Sequence, residues 1–195
     1  LNGQRINESV YGSAPSGPDL GLSLEAVDRV EIVRGPGASL FGTGAMMAVV
    51  NIVTRDGGDI DGLLGQVEVG SHGKKTAAVT YGGLVAGGVD LIVTANRWDV
   101  DGEDLYFAEF DDPATHGGIA DGLDWQEATG AMALAGRGGL RLQGWFVSRR
   151  KGVPTASYGT AFNDDRLQTL DEFGSLGPCS STPSTPAGPS SCAVT

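Results

Sequence analysis

Few side chains in this sequence have the type and spacing for chemistry. The only histidines, His72 and His116, stand far apart. Neither belongs to a paired metal-ligand spacing or a nucleophile motif, and both fall in predicted solvated loops. Ser39 sits in Gly37-Ala38-Ser39-Leu40-Phe41-Gly42, one residue too long for the G-x-S-x-G elbow. Gly35, Gly37, Gly42 and Gly44 form a glycine-rich loop behind a strand, but no Gly-Lys-Ser/Thr follows and G-x-G-x-x-G is absent, which argues against a phosphate cradle. Asp99, Asp101, Glu103 and Asp104 gather oxygen donors as a calcium loop does. Asp104 occupies the place where an EF-hand requires glycine, and a solvated acidic loop is the competing reading. No catalytic constellation emerges, so the sequence reads as a non-enzyme with no cofactor.

The elements around these residues read as strands. Val30 and Ile32 alternate with Arg29, Glu31 and Val33, the pattern of a strand buried mainly on one side. Val49, Val50, Ile52 and Val53 form a more apolar run, typical of a buried strand. Between them Pro36 fixes its own φ and pushes Gly35 out of the α region, so the loop is shaped. By residues alone this is a β-turn-β unit of a sheet protein.

Beyond Asp61, segments of about ten residues alternate in polarity at 63–71, 75–83, 88–97, 127–136 and 140–149. One parity carries Val67, Val69, Val79, Tyr81, Leu91, Val93, Leu140, Leu142 and Phe146. The other carries Gln66, Glu68, Thr80, Asp90, Thr94, Asn96, Arg141, Gln143 and Arg149. A one-residue slip would exchange the two sets. The segment around Ala131–Ala135 alternates poorly and also admits a helix fragment. Tight connections at 85–87 and 136–139 contrast with long ones at 98–126 and from 150 onward. A β-barrel with one lipid face fits this pattern, and so does a soluble β-sandwich.

Composition narrows the choice. The chain has 195 residues, 32 glycines, 19% charged residues and a net charge of −11. No run approaches the ~18 apolar residues of a spanning helix, and the acidic balance argues against nucleic acid as a partner. The chain opens on Leu-Asn-Gly, without an export signal. From Gly174 it turns rich in Pro, Ser and Thr. Pro178, Pro183, Pro186 and Pro189 are expected to forbid a strand, leaving an extracellular linker or a frame error as readings of 174–195. Cys179 and Cys192, the only cysteines, lie in this tail and could close a loop worth roughly 3 kcal/mol in the chain-entropy model.

Residues 27–54 closely resemble the plug core of TonB-dependent outer-membrane receptors: a strand ending in Arg34-Gly35-Pro36, a small-residue turn, Phe41-Gly42, and a strand containing Val50-Asn51-Ile52-Val53-Thr54. Leu1-Asn2-Gly3-Gln4-Arg5-Ile6-Asn7 resembles the preceding plug strand, with Asn2 where the family commonly has Asp. The resemblance implies a mainly β chain: residues 1–60 the C-terminal part of a plug, 61–173 the first antiparallel strands and outer loops of an incomplete transmembrane β-barrel, 174–195 a tail. It marks Arg34, Gly35, Pro36, Gly42, Gly44 and Asn51 as the plug motif, with Arg34 paired to glutamates on wall strands outside this chain. The segment from Lys151 through Pro154 to Tyr158 resembles an outer loop that lines a ligand vestibule. The implied partners are TonB with its inner-membrane energising proteins, outer-membrane lipid, and a small nutrient such as a siderophore, cobalamin, a metal chelate or a glycan. The competing function is a secreted or surface β-rich binding or adhesin module.

Overall fold

The structure is a computed structural model that describes residues 1–8, 12–35, 45 and 47–180. Pro36, Ser39, Gly42 and Gly44, and the tail from 181 with Cys192, lie outside the described residues. The fold is mainly antiparallel β. Strands β1 (Val27–Arg34) and β2 (Ala48–Thr54) form a two-stranded ribbon. A four-residue helix α1 (Gly57–Ile60) leads into β3 (Gly62–Val69), β4 (Lys75–Val85) and β5 (Val89–Val100). The short pair β6 (Leu105–Tyr106) and β7 (Ile119–Ala120) sits within the next connection, before β8 (Gln126–Arg137), β9 (Leu140–Gly152) and β10 (Gln168–Ser180). Six of these make one sheet in the order β10-β9-β8-β5-β4-β3.

The two faces of this sheet differ as the alternation requires. One face packs under the N-terminal segment. Its core is Ile92, Met132, Leu134, Trp145 and Val147 with Leu1 and Ala26, and Ile6, Leu22, Ile52, Ile60 and Phe173 pack against it. Each large apolar side chain so covered contributes about 1.5–3 kcal/mol. The polar residues here are buried too: Thr80 and Thr94 bond each other at 2.9 Å across β4 and β5. On the other face Leu63, Val67, Val69, Val79, Tyr81, Val93, Leu140, Leu142, Phe146, Leu170 and Leu176 are exposed, Val67 at 81%.

The segment around Ala131–Ala135 is a strand, paired from Gln126 to Lys151 and from Arg137 to Leu140. Its alternation is one of size: Ala128, Gly130, Met132 and Leu134 face the covered side, and the alanines between them face outward. Trp98 takes the covered parity in unbroken register with Thr76 and Ala128.

Three expectations require correction. Pro178 does not forbid a strand, because β10 passes through it opposite Leu142. β10 is the sheet edge, where an absent N–H leaves no neighbour unpaired. The tail boundary at 174 therefore falls inside a strand. Residues 1–8 form no strand; they run alongside β2, with Asn2 N bonded to Ile52 O at 2.8 Å. Most of the apolar side of the ribbon is not buried: Val30, Ile32 and Val50 are all more than half exposed, and only the β2 end is covered, where Ile52 packs against the core and Val53 and Thr54 are buried. That end alone reaches the six-stranded sheet.

Close backbone approach explains two glycines. Gly21 has φ +60, and a Cβ on Gly130 would stand 2.1 Å from Gly21 O. Gly130→Ala should therefore cost about 1–3 kcal/mol by overpacking. Gly65→Ala, with nothing within 4 Å of its Cβ, should shift the denaturant midpoint far less. Equal midpoints for the two variants would show that the N-terminal segment does not rest on β8.

Candidate functional site

The chain's functional geometry lies where the N-terminal segment meets the covered sheet face. Asn2, at φ +50, is the hub of the first contact. Its Oδ1 accepts from Thr54 N at 2.9 Å, and its Nδ2 donates to Thr54 Oγ1 at 3.0 Å and to Gln143 Oε1 at 2.7 Å. Gln143, fully buried on β9, passes its Nε2 on to Gln4 Oε1 at 3.1 Å. Where the resembling family has Asp, an amide here both donates and accepts, which suits a row of neutral amides.

A second contact lies further along the same face. Trp145 Nε1 donates to Leu20 O at 2.7 Å and Asn96 Nδ2 to Gly21 O at 2.8 Å. Arg149 Nε stands 3.1 Å from Asp19 and its Nη1 3.4 Å from Asp171. Burial raises the Asp19 pKa, and the Arg149 charge opposes that shift only in part. The third contact joins α1 to the sheet through Asp90 and Arg141.

The plug-motif residues that are described take ordinary structural roles. Asn51 Oδ1 accepts from Gly3 N at 2.9 Å while its Nδ2 donates to Glu31 at 3.0 Å, so it ties β2 to both β1 and the N-terminal turn. Gly35 has φ +103 and donates to Met47 O at 2.9 Å, closing the ribbon where only glycine is unstrained. Arg34 is exposed at the end of β1 and has no ion pair among the described residues.

The calcium candidates are not brought together. Asp99 holds Arg97 at 2.7 Å, Glu103 pairs with His72 Nδ1 at 2.8 Å, and Asp101 packs against Gly73. Among the described residues no group of three or more His, Cys, Asp or Glu is placed to hold a metal. His72 is thus a loop tie, and His116 lies in a 3-10 turn at φ +58. In the outer-loop candidate, Lys151 Nζ bonds Asp124 O at 2.8 Å and pairs with the Asp124 carboxylate. Pro154 is half-buried, and the backbone of Tyr158 forms the turn Ser157–Gly159.

Sequence reasoning missed the ties between the long loops. Phe110 stacks on Phe162 at 4.3 Å and Phe107 meets it edge-on at 6.0 Å. Asp121 N reaches Asn163 Oδ1 at 3.3 Å. The phenylalanines at 107, 110 and 162 were the available signal, aromatic residues inside otherwise polar loops. Nearby, the Arg166 side chain and its backbone N–H hold Asp164 down at about 2.

Fold and contacts define a mainly β protein whose sheet is sealed on one side, of mixed polar and apolar residues, by its own N-terminal segment and bare on its apolar side. No family model and no solved structure matches the chain. It is similar to the vitamin B12 transporter BtuB of Vibrio vulnificus, 27% identical over 105 residues, 54% of this chain and 17% of that protein. It is also similar to the vitamin B12 transporter BtuB of Photobacterium profundum, 33% identical over 91 residues, 46% of this chain and 14% of that one. The chain thus covers about a sixth of the length of these relatives. The similarity is to transporters and not to enzymes, and it supports, coarsely, the receptor family that the motifs resemble.

Two measurements check this geometry. Gln143→Leu leaves the amides of Asn2 and Gln4 without their partner and should lower stability by about 1–3 kcal/mol in denaturant titration. For Asp19, whose folded pKa is raised, the protonated form is favoured by folding. Its contribution is full below the ordinary carboxylate value of about 4 and is lost as pH rises through the raised value. The wild type should therefore lose stability relative to Asp19→Asn as pH climbs above about 4. A pH-independent difference would show that burial of Asp19 has no thermodynamic effect.

Proposed function

We propose that the chain is part of a bacterial outer-membrane receptor that binds a scarce nutrient outside the cell and imports it when TonB and its inner-membrane energising proteins act on the plug. Residues 1–60 are the plug portion, and the strands from 61 are barrel wall, continuing through β10 to Ser180. The observation that carries this reading is the sheet with opposite faces. One face, which carries the buried polar residues and the core, is sealed by a hydrogen-bonded segment, and the other, apolar face is bare.

The dimensions fit a membrane. On β4 the outward side chains from Ala77 to Val85 are apolar or small, about 26 Å along the strand at ~3.3 Å per residue. Tilt brings that near the ~25 Å apolar band of such barrels. Above the band the outward positions turn charged: Lys75, Arg97, Asp99, Glu127, Arg150 and Glu172 lie at one end of the strands. A soluble sandwich would cover the apolar face with a second sheet, and the described residues supply none.

In this reading the loop from Lys151 through Pro154 to Tyr158 faces the ligand vestibule, and Arg34 meets its ion-pair partners on wall strands outside this chain. Of the nutrients such receptors take, cobalamin has the support of the two relatives, both named as vitamin B12 transporters.

The test is membrane association. The full chain should float with vesicles after refolding, and Leu142→Arg, on the bare face, should weaken insertion by about 2–4 kcal/mol. Thr94→Val, on the sealed face, should leave insertion unchanged. A chain that stays in the aqueous phase, or that tolerates Leu142→Arg, overturns the reading.

A further inference from the structure

The two long connections of the sheet are built differently. Residues 101–125, between β5 and β8, carry a fold of their own. Phe107 N donates to Gly118 O at 2.8 Å beside the β6–β7 pair, Gly122 N donates to Asp104 at 2.8 Å, and Ala120 and Leu123 are buried. Residues 153–167, between β9 and β10, close at their base through Val153 N to Leu167 O at 3.0 Å. Above that base the bonds are short-range: Thr160 N and Oγ1 donate to Ser157 O at 3.2 and 2.7 Å, and Arg166 pairs with Asp164 at 2.7 Å. Bonds of this kind shape turns and do not by themselves fix where a loop of this length stands.

The second connection meets the first on both of its limbs. On the limb leaving β9, Gly152 N donates to Trp125 O at 3.0 Å, and Lys151 Nζ donates to Asp124 O at 2.8 Å and pairs with the Asp124 carboxylate. The backbones touch here, since a Cβ on Gly152 would stand 2.3 Å from Leu123 O. On the limb returning to β10, Phe162 stacks on Phe110 at 4.3 Å and meets Phe107 edge-on at 6.0 Å, while Asn163 Oδ1 accepts from Asp121 N at 3.3 Å. Aromatic pairs in these geometries add to what burial alone supplies. Residues 154–161 therefore hang between two points that are both held by the other connection.

We propose that residues 101–125 are a scaffold and that Phe162, seated on Phe107 and Phe110, is the positioning residue that sets where residues 154–161 stand. Under the receptor reading, on which the functional consequence rests, the ligand-facing segment from Pro154 to Tyr158 takes its place from a neighbouring loop, so Phe107 and Phe110 act on ligand contact through Phe162.

Limited proteolysis of the full chain in micelles reads the two connections separately. Residues 101–125 hold Glu103 but no Lys or Arg, whereas Arg166, its side chain 86% exposed, lies in the other loop. Cutting of a locally opened segment tracks its open population. Phe162→Ala should speed trypsin cutting after Arg166 by ~10-fold. It should leave cutting after Glu103 by a glutamate-specific protease, and the denaturant midpoint of the sheet, unchanged. Phe110→Ala, in the other connection, should speed the Arg166 cut by a similar factor. Phe162→Tyr should keep the wild-type rate, as should Tyr106→Phe, which removes only the bond to Asp111. If Phe110→Ala does not fold, Asn163→Ala removes the Asp121 bond and should speed the Arg166 cut by a smaller factor. An Arg166 cut indifferent to these changes, or a Glu103 cut that quickens as much as the Arg166 cut in Phe162→Ala, overturns the proposal. The expected cutting pattern in a chain that fails to enter micelles supports the scaffold and counts against the membrane reading alone.

Discussion

Everything in this molecule depends on one sheet lying between two different environments. Because side chains alternate across a strand, six paired strands sort their residues into two sets, and the hydrogen-bond register decides which set lies on which side. The observed register puts Thr80, Thr94, Gln143 and Arg149 on the covered face and Val67, Tyr81, Leu142 and Phe146 on the bare one. Shifting a single strand by one residue would bring Asp90 or Arg141 onto the apolar side and strip the covered face of its partners. The polar contacts and the apolar band are therefore one constraint seen from two sides.

The covered face is sealed by backbone as well as by side chains. Leu20 O and Gly21 O accept from the sheet, and Gly57 N and Gly58 N donate to it. A segment with little regular structure must satisfy its peptide groups somewhere. Here the sheet supplies Asn96, Trp145 and Asp90 for that purpose. Small residues follow from the same need, since Gly21, Gly57 and Gly130 let main chains meet where any Cβ would intervene. The result is an interface in which these polar contacts accompany the apolar cluster of Leu1 and Ala26 with Ile92, Met132, Leu134, Trp145 and Val147.

What the sequence revealed tracks what is local. Period-two alternation located β3, β4, β5 and β9 to within a few residues, because that signal lies within each strand. β8 was ambiguous, since its outward alanines and inward glycine differ in volume and hardly in polarity. Pro178 misled because proline reports on hydrogen bonding, and nothing in the sequence says which strand forms the edge. Val30 and Ile32 misled for a related reason: an apolar stripe shows that a face wants covering, not that a second layer is near enough to cover it. The Asn2–Gln143 bond joins residues 141 positions apart and leaves no local trace. Among candidate site residues, Gly35 and Asn51 were recognisable by their motif. The separate fates of Asp99, Asp101 and Glu103 depend on loop geometry that composition does not encode.

Those fates bear on how the acidic balance should be read. The stretch from Asp101 to Trp125 holds eight Asp and Glu residues and no Lys or Arg, which looks like a site for metal. Its acids are engaged one at a time. Asp104 accepts from Gly122 N at 2.8 Å, Asp112 from Ala114 N at 2.8 Å, Asp111 from the Tyr106 hydroxyl at 3.0 Å, and Asp124 pairs with Lys151. Asp111 and Asp112 anchor local turns while Asp104 and Asp124 tie distant parts of the chain, so these carboxylates stand apart where a metal site would need them to converge. The charge persists as a field without a focus. It lies at the same end of the strands as the loop from Lys151 to Tyr158, where it favours the approach of cations and neutral solutes over anions.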